Sequence, residues 1–250
     1  MLKKLLVVTT FLTIGACDSA NSTTTTSGNS GLTEAQVREI VGKYIDENPK
    51  VIIASLEKYQ QQQMAEDQEK AKTAVKDNRD RMLNSKHSAI VGDANSANYM
   101  VEFFDYNCGF CKRATPAVNQ VLAEQKNIKV VFLELPVLGP SSELAAAAAI
   151  TVQLKEPGKY LAFHNKLMEH NGPKDLVVIN DLAKEVGITD IKFAEEIHSP
   201  EVLAAIEENR KLADDLGIRG TPAFVINDEL VPGAIPYEEM VKVIKETSKK

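Results

Sequence analysis

The first periodic stretch of the chain begins after residue 32. Val37, Ile40, Val41, Tyr44 and Ile45 recur at helical spacing and make one apolar stripe. Thr33 stands before it with Gln36 three residues on, a capping box in which side chains and backbone N–H groups satisfy one another. Asn48-Pro49 ends this helix and suits the start of the next, with Asn as cap and Pro in the first turn. From Lys50 the helical pattern runs on for about thirty residues, well past the usual length. It opens apolar with Val51, Ile52, Ile53, Leu56 and Tyr59; after the glutamines at 60–63 only Met64, Ala71, Ala74, Val75, Met82 and Leu83 remain among charged residues. So thin a stripe cannot bury a helix of that length by itself. The pattern predicts a helical oligomerisation segment over 33–85 that forms a dimer or trimer through residues 33–60. An arm packed only on its own catalytic domain is the alternative.

From residue 86 the pattern changes. Ser88 to Val91 and Tyr99-Met100-Val101-Glu102-Phe103-Phe104 read as strands around a Gly-Asp-Ala-Asn turn. Residues 112–125 read as a helix and residues 128–135 as a buried strand. Between Ser141 and Leu216 the pattern is almost wholly helical, broken at Pro157-Gly158, Gly172-Pro173, Gly187 and Ser199-Pro200. Ala223 to Ile226, an Asn227-Asp228 turn and Glu229-Leu230-Val231 make a hairpin, and Pro236 opens a last amphipathic helix. The predicted fold is α/β: a thioredoxin fold over 86–250 with a helical domain inserted at about 140–216.

Composition changes this picture little. At 250 residues, 44% hydrophobic and 26% charged, the chain is ordinary for a globular protein, and 6% aromatic content without Trp means a mainly aliphatic core. A formal charge of -6 argues against nucleic acid as a partner.

The first residues say more. Met1 to Lys4 carries two positive charges, a short apolar run follows, and Gly15-Ala16 supplies small residues, the layout of an export signal. Ile14-Gly15-Ala16-Cys17 resembles a bacterial lipobox, which implies a signal over 1–16 and lipidation of Cys17. Three cysteines in an exported chain leave one over, and lipidation of Cys17 removes the odd thiol. Residues 17–32, rich in Ser, Thr, Asn and Gly, then read as a flexible tether. The localisation this implies is periplasmic, anchored to a bacterial membrane only through the lipid.

The chemistry centres on Cys108-Gly109-Phe110-Cys111. Four-coordinate zinc needs two ligands beyond such a pair, and neither a second C-x-x-C nor a suitable histidine pair exists, so no metal and no cofactor is expected. The motif ends an apolar strand and opens a helix. Cys108 therefore lies where free N–H groups and the helix dipole favour a thiolate, the nucleophilic form. Cys111, one turn in, is placed to resolve a mixed disulfide. Lys112 and Arg113 follow, either adding positive potential at the sulfur or serving solubility.

The segment from Val101 to Cys111 resembles the active-site strand of the DsbA family. The resemblance implies that Glu102 lies beneath the disulfide and handles protons, a solvent-facing strand carboxylate being the alternative. Arg219-Gly220-Thr221-Pro222 resembles the loop ending in cis-proline that faces the active site of thioredoxin-like proteins, which assigns Gly109, Phe110, Thr221 and Pro222 to substrate binding. The extension at 33–85 resembles the oligomerisation segments of ScsC-like members. Where enterobacterial DsbA has Pro-His between its cysteines this chain has Gly109-Phe110, whose side chains cannot donate the hydrogen bond that such a histidine gives the thiolate. The disulfide is therefore expected to be less oxidising than that of DsbA and more so than that of thioredoxin, a span of roughly 150 mV. Thr221 and the Gly-aromatic dipeptide resemble DsbC-type isomerases. The implied function is forming and reshuffling disulfides in exported proteins, recharged by a membrane redox partner. A dedicated oxidase or reductase, or a non-enzymatic surface scaffold, stand as alternatives.

Overall fold

The computed structural model describes residues 31–248. The expectations placed on the signal, on Cys17 and on the tether up to residue 30 lie outside the described residues. The chain divides into two compact units between Glu57 and Lys58.

In the first unit, α1 (Glu34–Glu47) starts on the expected capping box: the Gln36 N–H donates to Thr33 Oγ1 at 3.4 Å and the Thr33 N–H to Gln36 Oε1 at 2.9 Å. Asn48 ends it, its backbone and side-chain N–H groups both reaching the Tyr44 carbonyl at 2.9 Å. Helix α2 (Lys50–Asp77) begins two residues later. No residue of α1 is buried. Val37, Ile40, Val41 and Tyr44, with Val51, Ile52, Ile53 and Leu56 of α2, are each between 39% and 58% exposed.

The second unit is built on a five-stranded sheet of order β1-β3-β2-β4-β5: β1 (Ala89–Gly92), β2 (Tyr99–Phe104), β3 (Lys129–Glu134), β4 (Ala223–Ile226) and β5 (Glu229–Pro232). Only β2 and β3 run parallel, joined by the crossover helix α4 (Gly109–Glu124). Every residue of β2 is buried, as befits a central strand covered on both faces. Gly92 ends β1 at φ 91°, where a Cβ would sit 2.6 Å from the Ile128 carbonyl oxygen, so no other residue fits.

One face carries Met100, Phe104, Val130 and Phe132 against α4, the helical insertion and α10 (Tyr237–Thr247). The insertion comprises α5 (Pro140–Lys155), α6 (Tyr160–Glu169), α7 (Leu176–Glu185), α8 (Phe193–Glu196) and α9 (Pro200–Asp215). Residues Ala145 to Ala149 of α5 are all buried, their short side chains letting neighbouring backbones approach closely.

The opposite face carries Tyr99, Val101, Phe103, Val131 and Leu133. Here the end of α2 and α3 (Arg79–Leu83) contribute Val75 and Met82, both fully buried, beside Leu212 and Leu216. Arg79 pairs with Asp228 at 3.0 Å and lies over the Tyr99 ring at 5.4 Å. Residues in the seventies and eighties thus belong to the catalytic unit, and the boundary falls well before the one expected near 85. Val75 of α2 and Met82 of α3 are where the thin apolar stripe finds a surface to bury against. The thioredoxin fold with its helical insertion forms as expected.

Candidate active site

Cys108 is the N-cap of α4, its N–H donating to the Asp105 carbonyl at 3.1 Å. Cys108 and Cys111 are free thiols. Cys108 Sγ faces the loop before β4, where Thr221-Pro222 is a cis peptide, and the thiol donates to the Thr221 carbonyl at 3.2 Å. Burial pushes the Cys108 thiol up, yet hydrogen bonds from the Thr221 side chain and from the N–H groups of Cys111 and Phe110 outweigh it, leaving the group below its ordinary value. Cys111 is the reverse case: burial, reinforced by a charge on Cys108, holds it far above the ordinary thiol range. One sulfur is prepared as nucleophile and leaving group, the other is kept as a thiol until needed.

Gly109 and Phe110 form the exposed first turn of α4, with Phe110 59% exposed. The Arg113 guanidinium lies over the Phe110 ring at 4.1 Å, and Lys112 Nζ donates to the His170 carbonyl. Both cations are therefore committed to protein partners. Pro222 is buried and its carbonyl accepts from the Gly233 N–H at 2.9 Å, which fixes the loop against the end of β5. The structure brings Cys108, Cys111, Thr221 and Pro222 together at one end of the sheet.

Glu102 does not face solvent. It is 1% exposed on the face that carries Met100 and Phe104, in the same layer as Cys111. Burial alone raises its carboxyl to about 8, because an ionised carboxylate without partners is costly in an apolar layer. Among the described residues nothing hydrogen-bonds its Oε1.

Two groups of polar residues escape sequence reasoning. The first is a strut beneath the catalytic turn. The Asp105 carboxylate, 1% exposed, accepts from the Asn107 N–H and Ser142 hydroxyl at 2.7 Å and from the N–H groups of Val137 and Leu138 at 2.8 and 3.0 Å. Asn107 Nδ2 donates to Ser142 Oγ at 2.9 Å, and Asn107 Oδ1 accepts from Lys174 Nζ at 2.9 Å. Burial, then the nearby Lys112, lowers Lys174 to about 8. The turn that presents Cys108 is thereby tied to the start of α5 and to the loop before α7. Asp105 and Asn107 carried a weak signal, since short polar side chains before a helix bond the backbone of a turn; Lys174 carried none.

The second is a buried cluster around Glu134. Its Oε1 accepts from the Tyr160 hydroxyl at 2.5 Å, and the Tyr106 hydroxyl meets His164 Nδ1 at 3.1 Å. A glutamate inside an otherwise apolar strand was the available signal. Among the described residues no group of three or more His, Cys, Asp or Glu is placed to hold a metal ion, and no helix is long and apolar enough to cross a membrane.

Known proteins resemble this chain in sequence and fold. Residues 100–245, more than half of the chain, match the DSBA-like thioredoxin domain. A linker-deletion variant of ScsC from Proteus mirabilis superposes at a TM-score of 0.68 with 29% identity, covering 88% of this chain and 98% of that one. The thiol-disulfide exchange protein alpha-DsbA2 from Wolbachia pipientis superposes at 0.69 with 31% identity, over 74% of this chain and 98% of that one. Disulfide bond formation protein D of Bacillus subtilis is 27% identical over 176 residues, 66% of this chain and 78% of that protein. With residues 100–245 matched, this chain belongs to the DsbA-like thioredoxin-domain family of thiol–disulfide exchange proteins.

Proposed function

We propose that this protein works outside the cytoplasm, forming and reshuffling disulfides in exported proteins through the Cys108–Cys111 pair. The observation that carries this reading is the opposed tuning of the two thiols, lowered at Cys108 and raised at Cys111. In oxidation, a substrate thiolate attacks Cys108 of the disulfide; the Cys108–Cys111 bond breaks and Cys111 leaves with the electron pair and takes a proton. A second substrate thiolate then attacks the substrate sulfur of the mixed disulfide and releases Cys108 as the thiolate. In reshuffling, the Cys108 thiolate attacks a wrong substrate disulfide and is released when another substrate thiol attacks, so no net electrons move.

Glu102 is the group that takes and returns the Cys111 proton. Gly109, Phe110, Thr221 and Pro222 form the polypeptide contact, Phe110 supplying exposed apolar surface next to the nucleophile. Reshuffling benefits from several active sites facing one substrate, and the uncovered apolar stripe of α1 and the first turns of α2 supports a homo-oligomer through residues 33–60. Lipidation of Cys17 holds the protein at a bacterial membrane in the periplasm, where a membrane redox partner re-oxidises the dithiol.

Removing residues 33–60 tests the reading: it should abolish refolding of scrambled ribonuclease while leaving oxidation of a reduced peptide intact. Retained isomerase activity in the truncated protein would sink the oligomer argument. Equilibration with glutathione tests the disulfide itself; a potential as oxidising as DsbA or as reducing as thioredoxin would refute the role given to Gly109-Phe110.

A further inference from the structure

Besides Glu102, a second carboxyl is buried in the layer behind the cysteines. Glu134 is 1% exposed, and in the parallel register Glu102 stands opposite Phe132 while Phe104 stands opposite Glu134. The two acids are thus diagonal neighbours on one face of adjacent strands, at a Cβ separation of about 7 Å. Glu102 Oε1 and Glu134 Oε2 are both buried without a hydrogen-bond partner, and among the described residues no Lys or Arg pairs with either. The titratable groups that face them are Tyr160 and His164 from α6 and Tyr106 from the turn after β2.

Two contacts among these groups are direct: the Tyr160 hydroxyl donates to Glu134 Oε1 at 2.5 Å, and the Tyr106 hydroxyl meets His164 Nδ1 at 3.1 Å. Burial keeps His164 neutral by pushing it down to about 3. The Tyr160 contact suits either state of Glu134, since a hydroxyl can donate to the carboxylate or accept from the protonated acid. Glu134 can therefore hold or yield one proton without leaving that hydroxyl unpaired.

We propose that Glu134 is a positioning residue of the redox centre, a buried proton holder that sets, through Glu102, the pH at which Cys111 gives up its proton. The inference rests on the role given above to Glu102. In the resolving step the Cys111 sulfur attacks Cys108 in the mixed disulfide; the Cys108–Cys111 bond forms, the Cys108–substrate bond breaks, the substrate sulfur leaves with the electron pair, and the Cys111 proton passes to ionised Glu102. A negative charge on Glu134 disfavours a second one on Glu102, as for any two carboxyls sharing a dry site. Burial, partly offset by the Tyr160 hydroxyl, places Glu134 at about 7, beside the about 8 to which burial raises Glu102.

The test is the rate at which the full-length protein, loaded with thionitrobenzoate at Cys108, releases it as a function of pH. Glu134→Gln removes the competing charge, so the rising limb of the profile should move to lower pH by about one unit. Tyr160→Phe withdraws the hydroxyl that favours ionised Glu134 and should shift the limb the same way by less. The double variant with Glu102→Gln should behave like Glu102→Gln alone. Should the Glu134→Gln and Tyr160→Phe profiles superimpose on that of the unaltered protein, the inference is overturned, whatever their thermal stability. If Glu102→Gln itself leaves the profile unchanged, the Glu102 reading fails first. Absence of release from the unaltered protein would instead overturn the assignment of Cys111 as resolving thiol.

Discussion

The two compact units break the usual rules of burial in opposite directions. Residues 33–57 leave apolar side chains in water, with Ile40 at 53% and Ile53 at 58% exposure, on helices that bury nothing of α1. The catalytic unit takes charged and titratable groups out of water instead: Glu102, Asp105, Glu134 and Lys174 are each at most 1% exposed. Leaving a stripe of eight apolar residues exposed forgoes about 1.5–3 kcal/mol apiece in burial, and burying an ionisable group costs a comparable amount unless it is paired or neutral. Neither departure improves the stability of an isolated chain. On the function proposed above, the exposed apolar surface serves to meet another copy, and the buried acids serve to hold protons where thiols need them. The uncovered apolar stripe and the buried titratable groups lie in different units.

The sharpest break of that separation is at the nucleophile. Cys108→Ala should reduce dithiothreitol-dependent insulin reduction to the uncatalysed background while leaving the oligomeric state unchanged. A variant that altered stability alone would favour a scaffold over an enzyme. The reciprocal change belongs in the first unit. Val37→Glu combined with Ile52→Glu should weaken self-association by about a thousandfold, since buried apolar anchors dominate such interfaces. Sedimentation should show monomers whose Cys108 thiolate titrates as before; an unchanged mass would place the contact elsewhere.

How far the chain announces all this follows from how local each signal is. Strands, helices and their breaks were legible because period and punctuation act over a few residues: the capping box at Thr33, the hairpin at Asn227-Asp228 and the breaks of the helical insertion all stand where expected. The placement of Cys108 and Cys111 at the start of α4, the cis Thr221-Pro222 bond and the burial of Glu102 were legible because a motif and a family pattern pointed to them. The strut was not, because Asp105, Ser142, Asn107 and Lys174 meet across separations of 35 to 67 residues with no pattern linking them. The boundary between the units was misplaced for a related reason. Val75 and Met82 look no different in the sequence from Met64, which is 57% exposed, and only the sheet face waiting for them decides their burial.

A smaller effect tests whether the buried acid is neutral. Its folded pKa of about 8 lies above the ordinary 4.5, so between those values the folded chain binds more protons than the unfolded one. Stability attributable to Glu102 therefore falls as pH rises through that window and is level above it. Glu102→Gln should stabilise the protein at pH 8 by on the order of 4 kcal/mol and not at all below 4.5. A difference independent of pH in denaturant midpoints would mean the carboxyl is ionised throughout.

The last and smallest effect concerns Lys174, which is buried for the opposite purpose: its ammonium is a tie rather than a proton store. It donates to Asn107 Oδ1 at 2.9 Å and lies 3.4 Å from the carbonyls of His170 and Gly172. Lys174→Met leaves Asn107 Oδ1 without its donor, at a cost of about 1–2 kcal/mol. Part of that is returned, because methionine carries no charge to desolvate. The sign of the pH dependence separates the two contributions. With a folded value near 8 against 10.5, the unfolded chain binds the extra proton between them, so the unaltered protein gains stability from Lys174 as pH rises over that range. The variant should lack that gain, making its deficit larger at pH 10 than at pH 7. Because Asn107 precedes the nucleophile and Asp105 carries the Val137 and Leu138 amides, hydrogen exchange at those amides and at Cys108 should quicken in the variant. Exchange confined to the loop before α7 would show that Lys174 serves the insertion alone, and the strut would lose its claim on the catalytic turn.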